Sequence, residues 1–205
     1  FSMTMLQHGL VPSTGGFRIE RSLRFNSADT AYLNRTFGSA GNRKTWTWSS
    51  WVKRSALGGD TAIFTGYGNG TQSGGIYFSN DTTTDALEVR FGPFSGGWQG
   101  FLVTTQVFRD PSAWYHIVFA LDTDQATAAN RNRMYVNGTE VSYADSNNYG
   151  SATDLRMNQT SNTFRVGNNT AQSFAGKLAH IHWIDGAQLT PSDFSQAGSG
   201  STTVP

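Results

Sequence analysis

Cysteine is absent from the 205 residues, which excludes disulfide staples and thiolate metal centres. Charge is scarce as well: Asp, Glu, Lys and Arg make up 14% of the chain, with fifteen basic residues against fourteen acidic and a formal net charge of +1. The basic residues are scattered, as in Arg43-Lys44, Lys53-Arg54 and Arg131-x-Arg133. No stripe among them could track a phosphate backbone, so nucleic acid is not expected as a partner. No run approaches the roughly 18 apolar residues of a membrane span, and residues 1–12 lack the charged and apolar regions of a signal peptide. Membrane insertion is therefore not expected.

What is present is glycine, at 23 residues, together with abundant Ser, Thr, Asn and Gln. A surface built from these suits neutral polyols or other protein better than it steers ions. The length fits one domain, since all-β sandwiches run to about this size undivided. Short apolar runs recur at intervals of about 8 to 15 residues, split by Gly, Asn, Asp, Ser and Thr clusters, which is the all-β signal. No window keeps a 3.6-residue period long enough for a helix.

The expected strands are 22–26, 31–35, 46–54, 61–66, 75–79, 86–91, 100–105, 114–122, 133–136, 140–144, 163–167 and 177–185. Val136-Asn137-Gly138-Thr139 reads as a two-residue type I′ hairpin, because Asn and Gly both tolerate positive φ. After the last strand, Ile184-Asp185-Gly186 leads into Thr190-Pro191-Ser192-Asp193-Phe194. Thr190 is placed to cap, Pro191 loses no needed N–H, and Asp193 lies near the positive end of the turn. This predicts a short capped helical turn whose Phe194 plugs one end of the fold. Three regions follow: an N-terminal arm (1–21), a β-sandwich (22–195) and a flexible tail (196–205). Within the arm, Leu6, Leu10 and Val11 are the expected assembly residues.

Six segments occur in an order that resembles the laminin-G-like, concanavalin-A-like jelly rolls: Ser22-Leu23-Arg24-Phe25, 46–53, 114–118, Met134-Tyr135-Val136-Asn137-Gly138, Phe164-Arg165-Val166-Gly167 and 174–178. The resemblance covers residues 22–194. It implies a two-sheet antiparallel sandwich whose rim loops or concave face bind glycans, often with calcium. The ending 184–194 resembles the form found in phage structural and fibre proteins.

Hydrolases of this fold carry Glu-x-Asp-x-x-Glu on one strand. The glutamates here, Glu20, Glu88 and Glu140, do not fall in that pattern, so the protein is expected not to be an enzyme. Asp122 and Asp124, with Gln125, are the candidate calcium ligands, because calcium takes oxygens from flexible loops. The alternative is a solvated hairpin whose Asp side chains cap backbone amides. The same two readings apply to Asp81 and Asp85. His180 and His182 are expected to share one strand face, with Ile181 and Trp183 turned into the core; zinc would need further ligands that the sequence does not offer. Of the six tryptophans, five lie in apolar strand runs and read as packing. Trp98 sits instead in Ser95-Gly96-Gly97-Trp98-Gln99-Gly100. Tyr67 and Tyr149 have similar glycine- and amide-rich settings, so these three are the candidates for stacking a sugar ring.

The leading expectation is a virion structural or adhesion protein. It would be a homo-oligomer attached to other virion proteins through its arm, with a lectin-like domain that touches host surface glycans. The alternative is a bacterial secreted or cell-surface carbohydrate-binding module.

Overall fold

The computed structural model describes residues 19–68, 71–81, 83–92, 100–160, 162–194, 196–197 and 203–204. In chain order the strands are β1 (Leu23–Phe25), β2 (Leu33–Thr36), β3 (Thr45–Arg54), β4 (Thr61–Gly68), β5 (Thr71–Ser79), β6 (Ala86–Phe91), β7 (Gly100–Val107) and β8 (Tyr115–Asp122). They continue as β9 (Asn132–Val136), β10 (Thr139–Glu140), β11 (Tyr143–Asn147), β12 (Thr163–Val166), β13 (Gly176–Asp185), β14 (Gln196–Ala197) and β15 (Thr203–Val204). Among the described residues the remaining elements are three 3-10 turns.

The strands form a six-stranded sheet, β1-β13-β3-β8-β9-β10, and a seven-stranded sheet, β11-β7-β6-β5-β4-β12-β2, with β14-β15 as a small ribbon. The pairs within both large sheets are antiparallel. The architecture is the all-β two-sheet sandwich expected from the sequence.

Alternation decides the packing, because successive strand residues face opposite ways. On β3, Trp46, Trp48 and Val52 join the core, while Thr47, Ser49 and Trp51 face the other side. Trp46 and Trp48 pair with Leu121 and Phe119 on β8 and with Asp185 and Trp183 on β13. Between the sheets Trp183 stacks on Trp46 with centroids 4.5 Å apart and meets Phe164 edge-on at 4.5 Å. Such aromatic pairs each contribute about 0.5–1.5 kcal/mol beyond burial of their area, which suits a sandwich that has no disulfide.

The Asn137-Gly138 hairpin is present, with φ of 50° and 85° and Thr139 opposite Val136. Its second strand stops at Glu140, and β11 crosses to pair with β7 in the other sheet. The C-terminal turn also forms over Pro191–Asp193. Its cap works through Asp193, whose carboxylate accepts from the Thr190 N–H at 2.8 Å and hydroxyl at 2.9 Å. Phe194 is half-buried and packs 5.7 Å from His182.

One end of the sandwich departs from expectation. Asp85 lies 4% exposed, not in a solvated acidic loop. Its carboxylate takes Arg54 at 2.8 Å, Arg109 at 3.0 Å and the Gly58 N–H at 2.8 Å. These donors hold its pKa below the usual carboxylate value against the opposing effect of burial, which is the largest single influence. Arg54 is the inward-facing residue that ends β3, and its guanidinium lies 4.2 Å over the Phe78 ring. A buried arginine needs such partners, since an unpaired buried charge costs several kcal/mol.

Candidate functional site

Of the three candidate stacking residues, Tyr149 is corrected by the structure. Its side chain is 1% exposed and part of the core, and burial pushes its phenol pKa upward. The physical reason is Gly100: a Cβ there would lie 2.6 Å from the Tyr149 ring, so a glycine on β7 opens the slot that the tyrosine fills. Trp98 lies outside the described residues, as do Leu6, Leu10 and Val11.

Tyr67 is half-buried near the end of β4. Its hydroxyl donates to the Asn169 carbonyl, and Thr65 on the same strand face donates to the Asn168 carbonyl at 2.9 Å. These bonds fasten the 167–174 loop onto the outer side of the seven-stranded sheet. The loop is held internally by Asn side chains, with the Asn169 carboxamide oxygen accepting from the N–H groups of Ala171 at 3.1 Å and Gln172 at 2.6 Å.

Beside Tyr67 the sheet carries a cluster that sequence reasoning missed. Arg165 of β12 pairs with Thr65 on β4 and with Asn34 on β2, so its side chain leaves the face opposite Phe164 and Val166. The guanidinium carbon lies 4.7 Å from the Tyr67 centroid on one flank and 4.9 Å from the Tyr32 centroid on the other. Tyr32 is 46% exposed, and every residue of β2 is exposed. Thr36 and Thr163 share a hydroxyl hydrogen bond of 2.7 Å across the same strand pair. The result is an open platform with one accessible aromatic ring, one oriented guanidinium and a row of amide and hydroxyl groups. The available signal was alternation: Tyr32, Asn34 and Thr36 form one face of a short strand, and Arg165 projects opposite two apolar neighbours.

Further along the same outer face Arg90 binds Glu88 at 2.8 Å and Asp81 at 2.9 Å, and lies 4.7 Å over Tyr77. Tyr77 and Glu88 are buried, so this stretch is covered, as β4 is at Thr65, and the β2-β12 stretch is accessible.

The expected calcium ligands do not form a cation cage. Asp122 accepts from the Thr45 hydroxyl at 3.2 Å, the Asp124 N–H at 3.1 Å and the Gln125 amide at 2.8 Å. Asp124 faces Lys44 at 3.4 Å. The two aspartates stabilise a hairpin turn instead. Among the described residues no group of three or more His, Asp or Glu could hold a metal, so the residues present do not fit the calcium that the resemblance implies.

The two strand histidines are separated by a bulge. Ala179 pairs with Trp51 and His182 with Ser49, one residue out of register, and His180 takes a φ of 48°. The bulge adds one residue to β13 at this point, and both histidines stay exposed. Trp183 and Ile181 do pack against the core. His182, opposite Ser49, faces the outer side of the six-stranded sheet as expected; there Ser49 bonds the His116 Nε2 at 2.9 Å and Trp51 stacks on the His116 ring at 5.0 Å. The β3-β8 stretch of this face is closed: Thr47, Ser49, His116 and Val118 are each at most 1% exposed. Burial, followed by the charges of His182 and His180, lowers the His116 pKa to about 4.

Residues 26–193 match the family described as the concanavalin A-like lectin/glucanases superfamily. Among solved structures, a native heptameric SAP-like pentraxin from Limulus polyphemus shares 14% identity at a TM-score of 0.56, over 82% of this chain and 75% of its own. A proposed carbohydrate binding protein from Bacteroides ovatus shares 15% identity at a TM-score of 0.55, over 79% of this chain and 42% of its own. At these identities the likeness is one of fold. No curated protein matches the chain.

Proposed function

We propose, from the premise that this chain belongs to the concanavalin A-like lectin/glucanases superfamily, that it is a carbohydrate-binding domain which holds glycans without cleaving them. The observation that carries this reading is the open β2-β12 stretch. A pyranose ring has an apolar side that packs on an aromatic ring and a rim of hydroxyls that exchange hydrogen bonds. Tyr32 offers the ring, and Asn34, Thr36 and Thr163 offer the polar rim.

Binding without chemistry is supported by the partners of the acids on this sheet. Hydrolysis needs two carboxylates flanking the scissile bond. Here Glu88 and Asp81 share the Arg90 guanidinium, which ties both to a structural partner. The setting we favour is a secreted or surface module. That it is a binding module draws support from the proposed Bacteroides ovatus carbohydrate binding protein, of which this chain spans 42%. Neither relative carries the virion setting, and the present reading does not require it.

The test is a glycan array probed with the purified chain and with Tyr32→Ala. Binding that Tyr32→Ala abolishes while its melting temperature stays unchanged supports the reading. Silence of the folded wild-type chain across acidic and neutral glycans alike would remove it.

A further inference from the structure

We infer that the saccharide taken by this face is anionic and that Arg165 selects it; the inference rests on the glycan-binding reading above and names its ligand class. The described arginines that meet a carboxylate are Arg43, Arg54, Arg90, Arg109 and Arg133. Among the described residues Arg165 has no such partner. Its Nε is buried without a hydrogen-bond acceptor, and its guanidinium is flanked by Tyr67 at 4.7 Å and Tyr32 at 4.9 Å. Rings on its flanks leave the edge of the planar group as the route to a partner.

A guanidinium keeps its charge at any working pH and presents paired N–H donors matched to two oxygens of a carboxylate or sulfate. The two tyrosines hold it by cation–π attraction, so little side-chain freedom remains to be lost when a ligand arrives. Among the described residues no carboxylate lies within ion-pair distance of Arg165, and the acids further along the sheet are engaged by Arg90. Across the strand pair Asn34 stands opposite Arg165 as a neutral donor and acceptor for a neighbouring hydroxyl. The geometry thus gives one charged contact, one stacking surface at Tyr32 and a polar rim. A neutral sugar would leave the guanidinium unanswered, whereas a uronate, a sialate or a sulfated sugar would answer it.

The experiment is an array carrying uronate-, sialate- and sulfate-bearing oligosaccharides beside neutral ones, followed by calorimetry. The calorimetry uses the best acidic binder and its uncharged counterpart, a methyl ester for a carboxylate or the desulfated sugar for a sulfate. Acidic glycans should dominate the array, and neutralising the charge should weaken binding at least about tenfold. Arg165→Gln should erase that difference, and Arg165→Lys should restore only part of it. Asn34→Asp, at an exposed position, provides a second variant: a carboxylate opposite Arg165 should compete with the ligand and lower affinity for acidic glycans alone. Equal affinity for charged and neutral forms, or a preference that survives both Arg165→Gln and Asn34→Asp, would overturn the inference and leave the glycan-binding reading standing. A silent array would overturn both. Carboxylate-only or sulfate-only binding would each support the inference and identify the source of the charge.

Discussion

The β3-β8 stretch of one outer face and the β2-β12 stretch of the other are built from similar residues and end in opposite states. On the six-stranded sheet Thr47, Ser49, Trp51 and His116 are all buried. Part of their cover is the segment after β13, where the Thr47 hydroxyl donates to the Ala187 carbonyl at 2.7 Å and accepts from the Leu189 N–H at 2.9 Å. On the seven-stranded sheet Tyr32, Asn34 and Thr36 stay exposed, because the 167–174 loop that folds onto this face is fastened at Thr65 and Tyr67 and stops short of β2. A tyrosine or tryptophan on an outer strand face is therefore structural or available according to what the chain lays over it. Aromatic residues on the closed face should control stability, and those on the open face should control binding.

Trp51→Ala should have the largest effect on stability. Removing a buried aromatic that stacks on His116 is expected to cost about 3 kcal/mol, a fall of roughly 6–12 °C in melting temperature, with glycan affinity unchanged at temperatures where the variant is folded. Calorimetric unfolding combined with a binding assay checks both halves. Thr47→Val comes next, at about 1–2 kcal/mol, since two backbone groups of the covering segment lose their shared hydroxyl. Faster proteolysis after residue 186 would accompany it if this contact fastens the segment.

Acid should strain the closed face before the open one. The folded His116 pKa of about 4 lies below the ordinary 6.5, so the unfolded chain takes up the proton first. The stability held by neutral His116 is complete above about pH 6.5 and is lost as pH falls toward 4. His182 is shifted in the same direction by burial and by His180 and adds to the loss. Asp85, whose pKa is lowered, adds its own loss only below the usual carboxylate range. A melting temperature that drops between pH 7 and pH 4.5 in the wild-type chain, and drops less in His116→Gln, is the expected result. Identical pH profiles for the two would contradict it. The smallest stability effect should come from Tyr32→Ala, within about 0.5 kcal/mol at so exposed a position, although this variant should lose binding.

Local chemistry in the sequence anticipated several elements correctly. The Asn137-Gly138 hairpin and the Pro191 turn are set by backbone preferences of single residues, and the strand tryptophans, read as packing, are packed, with Trp46 and Trp48 in the core. Non-local contacts account for the failures. Tyr149 looked exposed in its Asn- and Gly-rich setting, yet it is buried because Gly100, far away in sequence, leaves room for its ring. Asp85 looked like a loop acid, yet Arg54 ends β3 pointing inward and needs it. The bulge in β13 beside His180 is a register feature that composition does not reveal. Tyr32 and Arg165 were visible as alternating residues, but their availability depends on how far the 167–174 loop reaches over the sheet.

The most direct test of the division between faces is backbone amide chemical-shift mapping while the strongest binder from the glycan array is titrated into the chain. The account predicts changes concentrated at residues 32–36, 163–165 and 67, with residues 47–51 and 116–118 unmoved. Changes centred on the six-stranded sheet, or confined to residues 93–99, would place the site elsewhere and contradict it.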